Sequence, residues 1–136
     1  MITLDKEMEQ HIFEVSTNFK RGSTELLLLT LLSQGERYPY EISKELKKYS
    51  DGLFDIQGPS LYTVLYRLEQ KGYVATRDVQ VGRRIRCYYH LLPSGYAVLE
   101  GILREYRSIA KGIENVLGAA SSGILKKEDD CNDQCD

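Results

Sequence analysis

Between Gly58 and Leu117 the spacing of apolar residues changes twice, and only a helix, a hairpin and a second helix in that order accommodate both changes. Leu61, Val64, Leu65 and Leu68 sit at i, i+3, i+4 and i+7, a single helical stripe that Gly58-Pro59-Ser60 opens and Gly72 closes. From Tyr73 to Leu91 the period drops to two. Ile85, Cys87, Tyr89 and Leu91 fall on one face of a strand and Arg84, Arg86, Tyr88 and His90 on the other. The stretch Gln80–Arg83, with Gly82, supplies a turn, so the segment reads as a β-hairpin with a basic tip. After Pro93 the residues Tyr96, Leu99, Leu103, Tyr106, Ala110, Ile113 and Leu117 recur at steps of three and four, with Ile102, Ile109 and Val116 widening the stripe. A terminal helix with such a face needs a partner.

The residues before Gly58 supply further helices. Leu4, Met8, Ile12, Val15 and Phe19 mark an amphipathic N-terminal helix. Ser23 or Gly22 can cap a second helix, whose body from Leu26 to Leu32 is apolar on most sides and belongs at the centre of the core. Gly35 ends it, and Pro39 suits the first turn of a third helix with Ile42, Leu46 and Tyr49 inward and Lys44, Lys47 and Lys48 toward water. From Ala119 onward small and then acidic residues replace the pattern, which predicts a frayed or disordered tail.

With 136 residues, 42% of them hydrophobic and 28% charged, the chain is expected to form one soluble domain with an appended helix or tail. The longest apolar run, Leu26–Leu29 resuming at Leu31 and Leu32, is far shorter than the roughly 18 residues of a bilayer span, and the acidic N-terminus lacks a signal-peptide layout. A cytoplasmic protein without a membrane partner is expected. The formal charge of −2 argues against a nucleic-acid partner only if it is evenly spread. It is not: residues 1–19 set Lys6 against Asp5, Glu7, Glu9 and Glu14, and residues 128–136 carry five acids and no base. The centre is basic. Ser60 to His90 alone holds Arg67, Lys71, Arg77, Arg83, Arg84 and Arg86 against Glu69 and Asp78.

The fold class expected from this order is mainly α with a small β-hairpin, a winged helix-turn-helix followed by a long C-terminal dimerisation helix. The organisation is an N-terminal helix over 1–19, a winged domain over 20–92, a dimerisation helix over 93–119 and an acidic tail over 120–136. Helix 59–71 then stands in the recognition position. Its core stripe turned inward, Thr63, Tyr66 and Gln70 point outward with Tyr62 and Arg67 on the shoulders, and Ser60 adds a hydroxyl at the positive end of the helix dipole. Hydroxyl, amide and guanidinium groups bond both phosphates and base edges. The wing over 80–86 offers Arg83, Arg84 and Arg86 to the backbone or a minor groove. The competing reading makes Tyr62 and Tyr66 half-buried packing residues and the arginines solubilising groups.

Several runs carry a family resemblance: Gly22-Ser-Thr-Glu-Leu-Leu-Leu-Leu, Tyr40-Glu-Ile, Ser60-Leu-Tyr-Thr-Val-Leu-Tyr-Arg-Leu-Glu-Gln-Lys-Gly72, and Gly82-Arg-Arg-Ile-Arg-Cys-Tyr-Tyr-His-Leu91 with Gly95. Over about residues 20–117 the chain resembles the PadR family of bacterial transcriptional regulators, in its smaller form with an N-terminal helix and one C-terminal helix. The resemblance implies a homodimer on a palindromic operator, usually a repressor, released by a small aromatic or phenolic effector. It places Tyr62, Thr63 and Arg67 among DNA-contacting positions and the Arg83–Arg86 stretch in the wing. Pro39 stands where a Gly is usual and Leu92-Pro93 where a Thr usually caps the last helix. No Trp is present, so the tryptophan drug slot of one branch has no counterpart.

Leu4, Met8, Ile12 and Val15 of the N-terminal stripe and Tyr96, Leu99, Leu103, Tyr106, Ala110, Ile113 and Leu117 of the last helix are the expected dimer interface. Phe19, Tyr96 and Tyr106 could line an effector pocket between those helices, although aromatic residues at helical spacing also serve as plain core. Cys131 and Cys135 form a C-x3-C pair among aspartates, which leaves a thiol or metal sensor as an alternative; a closed zinc site needs about four ligands, and Cys87, His11 and His90 sit on separate elements. No metal and no cofactor are expected. A winged-helix protein-interaction module without DNA binding is a further alternative, motivated by the acidic ends. His90 reads either as a phosphate contact or as a surface residue. No P-loop, dinucleotide fingerprint, G-x-S-x-G elbow or H-E-x-x-H is present, and an enzyme is not expected.

Overall fold

The computed structural model describes residues 3–123. In chain order these form α1 (Lys6–Ser33), α2 (Pro39–Tyr49), α3 (Pro59–Gln70), β1 (Val74–Val81), β2 (Arg84–Leu91) and α4 (Pro93–Ser122). The architecture is a winged helix-turn-helix followed by a long helix. The two strands pair antiparallel from Val74↔Leu91 to Val81↔Arg84, joined by Gly82 and Arg83. A third, minimal strand contact comes from the α1–α2 connection, where Arg37 and Tyr89 exchange backbone hydrogen bonds of 3.0 and 2.8 Å.

α1 corrects the expected break at Gly22-Ser23: one helix runs without interruption for 28 residues. The Ser23 hydroxyl donates 3.1 Å to the Phe19 carbonyl, and Thr17 and Thr24 bond back to Phe13 and Lys20 in the same way. A hydroxyl spent on the preceding turn caps nothing. Gly22 costs such a helix on the order of 1 kcal/mol, and burial of Leu26, Leu28, Leu29 and Leu32 outweighs it several-fold. The cap lies instead at Asp5, whose carboxylate accepts from the Met8 N–H at 2.9 Å.

The core is a layer of leucines. Leu28, Leu29 and Leu32 of α1 meet Ile42 of α2, Leu61, Leu65 and Leu68 of α3, and Val74, Tyr89 and Leu91 of the hairpin, all buried. Tyr49, expected inward, is instead 70% exposed at the end of α2, where the Lys48 ammonium lies 5.4 Å from its ring. α2 closes with Asp51 N–H on the Lys48 carbonyl and Gly52 N–H on that of Lys47, a termination that puts Asp51 at φ +53°. α3 closes the same way, Gly72 N–H on Glu69 and Tyr73 N–H on Leu68. The inward face of β2 is buried at Tyr89 and Leu91, half-buried at Cys87 and open at Ile85. The hairpin therefore outruns the core, and Ile85, expected on the packed face, stands in its exposed outer part.

α4 begins at Pro93, with Tyr96 N–H on the Leu92 carbonyl at 3.1 Å and the Ser94 hydroxyl on the Gly72 carbonyl at 2.6 Å. Ser94 thus ties the start of the helix to the end of α3. α4 runs on through Ala119 and Ala120 to Ser122, as the alanines there allow, and the rest of the expected tail, 124–136, lies outside the described residues. The chain divides within α4, after Glu100. The residues of the helix beyond that point form a body of their own, and Tyr106, Ile109, Ile113, Val116 and Leu117 on it are exposed. No described helix is long and apolar enough to cross a membrane.

Candidate nucleic-acid interface

α3 owes its presentation to its first two residues. Gly58 adopts φ +64°, ψ −142°, a conformation essentially confined to glycine, and turns the chain so that Pro59 can start the helix. With Leu61, Leu65 and Leu68 buried, the opposite face carries Ser60, Tyr62, Thr63, Tyr66, Arg67 and Gln70, all exposed. The structure thus brings the six expected α3 residues onto one open surface. Thr63 donates to the Pro59 carbonyl at 2.8 Å, so its hydroxyl offers lone pairs outward. Arg67 is already engaged: its Nε lies 3.1 Å from Oε2 of Glu25 on α1.

The wing is braced by a ladder of alternating charge and aromatic ring. Glu36 and Arg77 form an ion pair, with Nε of Arg77 2.8 Å from Oε2 of Glu36. The Arg77 guanidinium lies 5.9 Å from the centre of the Tyr88 ring, Tyr88 meets Tyr38 edge-on at 5.3 Å, and the Arg86 guanidinium sits 4.4 Å over Tyr38. These contacts fasten the outward face of the hairpin to the segment entering α2. The Arg77 hydrogen bond holds the Glu36 carboxyl below its ordinary range, and the same bond raises Arg77. Arg86 is therefore part of the brace, while Arg83 and Arg84 stand exposed at the tip.

Arg37 supplies a second brace. Its Nε is 2.7 Å from Glu45 of α2, and Nη1 donates 2.6 Å to the carbonyls of Leu31 and Gly35. One guanidinium so closes the end of α1, fixes α2 and positions the strand contact with Tyr89. Glu41 accepts from the Tyr38 N–H at 3.2 Å, capping α2. Burial pushes the Tyr89 hydroxyl up to about 12 and also raises the Cys87 thiol, which disfavours a thiolate there. His90 is half-buried and its Nδ1 meets no partner among the described residues.

Two clefts flank α3. One, of about 560 Å³, opens between the start of α2, Tyr62 and the Arg84–Cys87 stretch of β2. The other, of about 680 Å³, lies between the middle of α1, the α2–α3 connection and α3. Of the expected effector residues, Phe19 lines a shallow depression of about 340 Å³ made by α1 alone, the Tyr96 hydroxyl reaches the Ser33 carbonyl at 3.5 Å, and Tyr106 is exposed on the second body. Leu4, Met8, Ile12 and Val15 are likewise exposed along α1. Among the described residues no three of His, Cys, Asp and Glu gather as metal ligands, and Cys131 and Cys135 lie outside those residues.

Glu25, Glu36, Arg37, Tyr38 and Arg77 were not legible as site residues. Glu25 left one signal, being the single charge in Gly22–Leu32.

Residues 28–101 match the Transcriptional regulator PadR-like family. An uncharacterized protein from Lysinibacillus sphaericus is 31% identical over 102 residues, which span 74% of this chain and 93% of the relative. A transcriptional regulator from Clostridium thermocellum superposes with a TM-score of 0.68 at 31% identity, covering 72% of this chain and 96% of that one. Bacillus subtilis PadR, solved in complex with operator DNA, superposes with a TM-score of 0.55 at 25% identity, covering 59% and 46% respectively.

Proposed function

Since the chain belongs to the PadR-like family of transcriptional regulators, we propose that it acts as a homodimeric repressor that binds a palindromic operator and lets go when a small aromatic or phenolic effector binds. In this reading α3 enters the major groove with Ser60, Tyr62, Thr63, Tyr66, Arg67 and Gln70. Arg83 and Arg84 follow the backbone from the wing tip, and Arg86 holds the wing in place through Tyr38 and adds its charge. The observation that carries the reading is the single exposed α3 face, polar along its length and flanked by a braced basic wing. That Bacillus subtilis PadR is solved in complex with operator DNA supports DNA as the partner.

Two apolar faces support the dimer. The N-terminal half of α1 exposes Leu4, Met8, Ile12 and Val15, and α4 exposes or half-exposes its whole stripe from Tyr96 to Leu117. Uncovered apolar stripes of this length are costly in water. Pairing with a second copy covers them, sets two recognition helices about one helical turn of DNA apart, and matches a palindrome. The effector would then bind beside Phe19 and Tyr96 once a second copy completes the walls, in a cytoplasmic protein.

Gel-shift titration against the fragment upstream of the protein's own gene, across a salt series, tests this. A shift that weakens steeply with salt is expected, because phosphate contacts release counterions. No shift at low salt, or one indifferent to salt, would sink the reading.

A further inference from the structure

The cleft between α1 and α3 has no role in the interface described so far, although three of its walls' residues, Ser60, Thr63 and Arg67, belong to the α3 face. α1 contributes Thr17, Lys20 and Arg21 to the same cleft. Among the described residues neither Lys20 nor Arg21 is paired with a carboxylate, and Asp55 on the far wall is 3.7 Å from Lys47. Glu25, one turn beyond Arg21 on α1, takes Arg67 instead. The cleft is therefore lined by three cations, Lys20, Arg21 and Arg67, against one carboxylate, Asp55, which Lys47 partly neutralises, while Glu25, outside the lining, is seated on the guanidinium nearest the recognition face. A carboxylate oxygen on an Arg Nε makes the same charge-assisted hydrogen bond as a phosphate oxygen.

The geometry points to this cleft as the seat of one backbone phosphate of bound DNA, held by Lys20 and Arg21 of α1 together with Arg67, with Glu25 holding Arg67 in the free protein as an internal stand-in for that phosphate. This rests on the DNA-binding reading and extends it to an element that reading leaves out. DNA is the occupant because the cleft is continuous with the exposed α3 residues, so a duplex reaching Tyr62 and Tyr66 runs its backbone past Ser60 and Thr63 toward Lys20. Docking then exchanges one acceptor on Arg67 for another. A duplex too poorly matched to bring its phosphate into the cleft leaves Glu25 in place, so the pair is broken, and its cost borne, only in the matched complex.

The test uses the full chain as wild type, Glu25→Gln and Lys20→Ala/Arg21→Ala, each titrated with the upstream fragment and with a random-sequence duplex of equal length. Glu25→Gln is expected to bind the upstream fragment about two- to fivefold tighter, the range of a partly exposed ion pair, and the random duplex with a smaller gain. The double variant is expected to lose one phosphate, a log–log salt slope shallower by about 0.9, at an unchanged denaturation midpoint. Glu25→Gln binding no tighter, or the double variant keeping the wild-type slope, overturns the seat while DNA binding stands. Wild type and Glu25→Gln both failing to shift either duplex overturns the DNA-binding reading and the seat together. Inorganic phosphate that displaces DNA from wild type at constant ionic strength, and not from the double variant, would give the cleft to a free oxyanion and overturn DNA as its occupant.

Discussion

A Cβ placed on Gly95 would stand 2.2 Å from the carbonyl oxygen of Tyr73 and 2.5 Å from Cδ1 of Leu91. The first turn of α4 thus lies directly on the backbone leaving α3, and Gly95 is the buried residue of that helix. Gly95→Ala forces a carbonyl and a core leucine apart and is expected to destabilise the fold by about 2–3 kcal/mol, read from the shift of the urea midpoint. A loss below about 0.5 kcal/mol would mean that α4 rides over Tyr73 with room to spare.

Asp51 points the other way. Held at φ +53° where α2 ends, it bears a left-handed strain that a glycine does not. Asp51→Gly is expected to raise stability by about 0.5–1 kcal/mol in the same urea titration while leaving the affinity for DNA unchanged.

The tyrosine in the core sets an alkaline limit. Tyr89 rises to about 12 from an ordinary 10 because burial disfavours its phenolate. A group whose folded value is raised contributes stability that is complete below the unfolded value and is lost as pH climbs through the folded one. The fold should therefore weaken between pH 10 and about 12, and Tyr89→Phe should flatten that loss. Tyrosinate absorbance during the titration is expected to show one of the ten tyrosines ionising late in wild type and not in the variant.

At the interface the residues should separate by kind. Arg67→Ala is expected to cost on the order of 1–3 kcal/mol on the upstream fragment if its guanidinium reads a base edge as well as sharing the phosphate seat, and less on random DNA. Arg83→Ala and Arg84→Ala should weaken both duplexes alike, each with a salt slope reduced by about 0.9. Tyr38→Ala removes the ring between Arg86 and Tyr88 and should loosen the wing, seen as faster amide exchange in β1 and β2. Equal losses on both duplexes for Arg67→Ala would leave it phosphate contacts alone, with no base readout.

Oligomeric state answers for the exposed stripes. Ile113→Glu on α4 and Ile12→Glu on α1 put a charge on faces open in the single chain, so neither should disturb the fold of residues 20–92. Light scattering is expected to give a dimer for wild type and a shift to monomer for each variant, with specific DNA binding lost in parallel. Monomers that still bind the upstream fragment as tightly as wild type would remove the dimer from the proposal.

Elements announced by a period were legible and those made by tertiary pairing were not. The stripe of Leu61, Val64, Leu65 and Leu68 fixes both the helix and its outward face, because a buried stripe leaves only one surface for Tyr62, Tyr66 and Gln70. Alternation placed Tyr89 and Leu91 inward and overreached at Ile85, since a period says which face a residue takes and nothing about where the core ends. Gly22-Ser23 resembles a cap because Ser is a common capping residue, yet hydroxyls that bond the preceding turn carried the helix through. The Glu25–Arg67 pair spans 42 residues and the Glu36–Arg77 pair 41, separations at which no local pattern operates.

The unbroken α1 has a mechanical consequence. From Met8 to Leu28 it spans about 30 Å of rigid rod at 1.5 Å per residue, one end on the exposed stripe and the other among the innermost leucines. In a dimer joined at the outer end, a tilt of roughly 10° at Met8 translates the far end by about 5 Å, a full helical pitch. A ligand that wedges the outer ends apart by a small angle could thus throw two recognition helices out of step with the groove, the rod converting rotation into lost register.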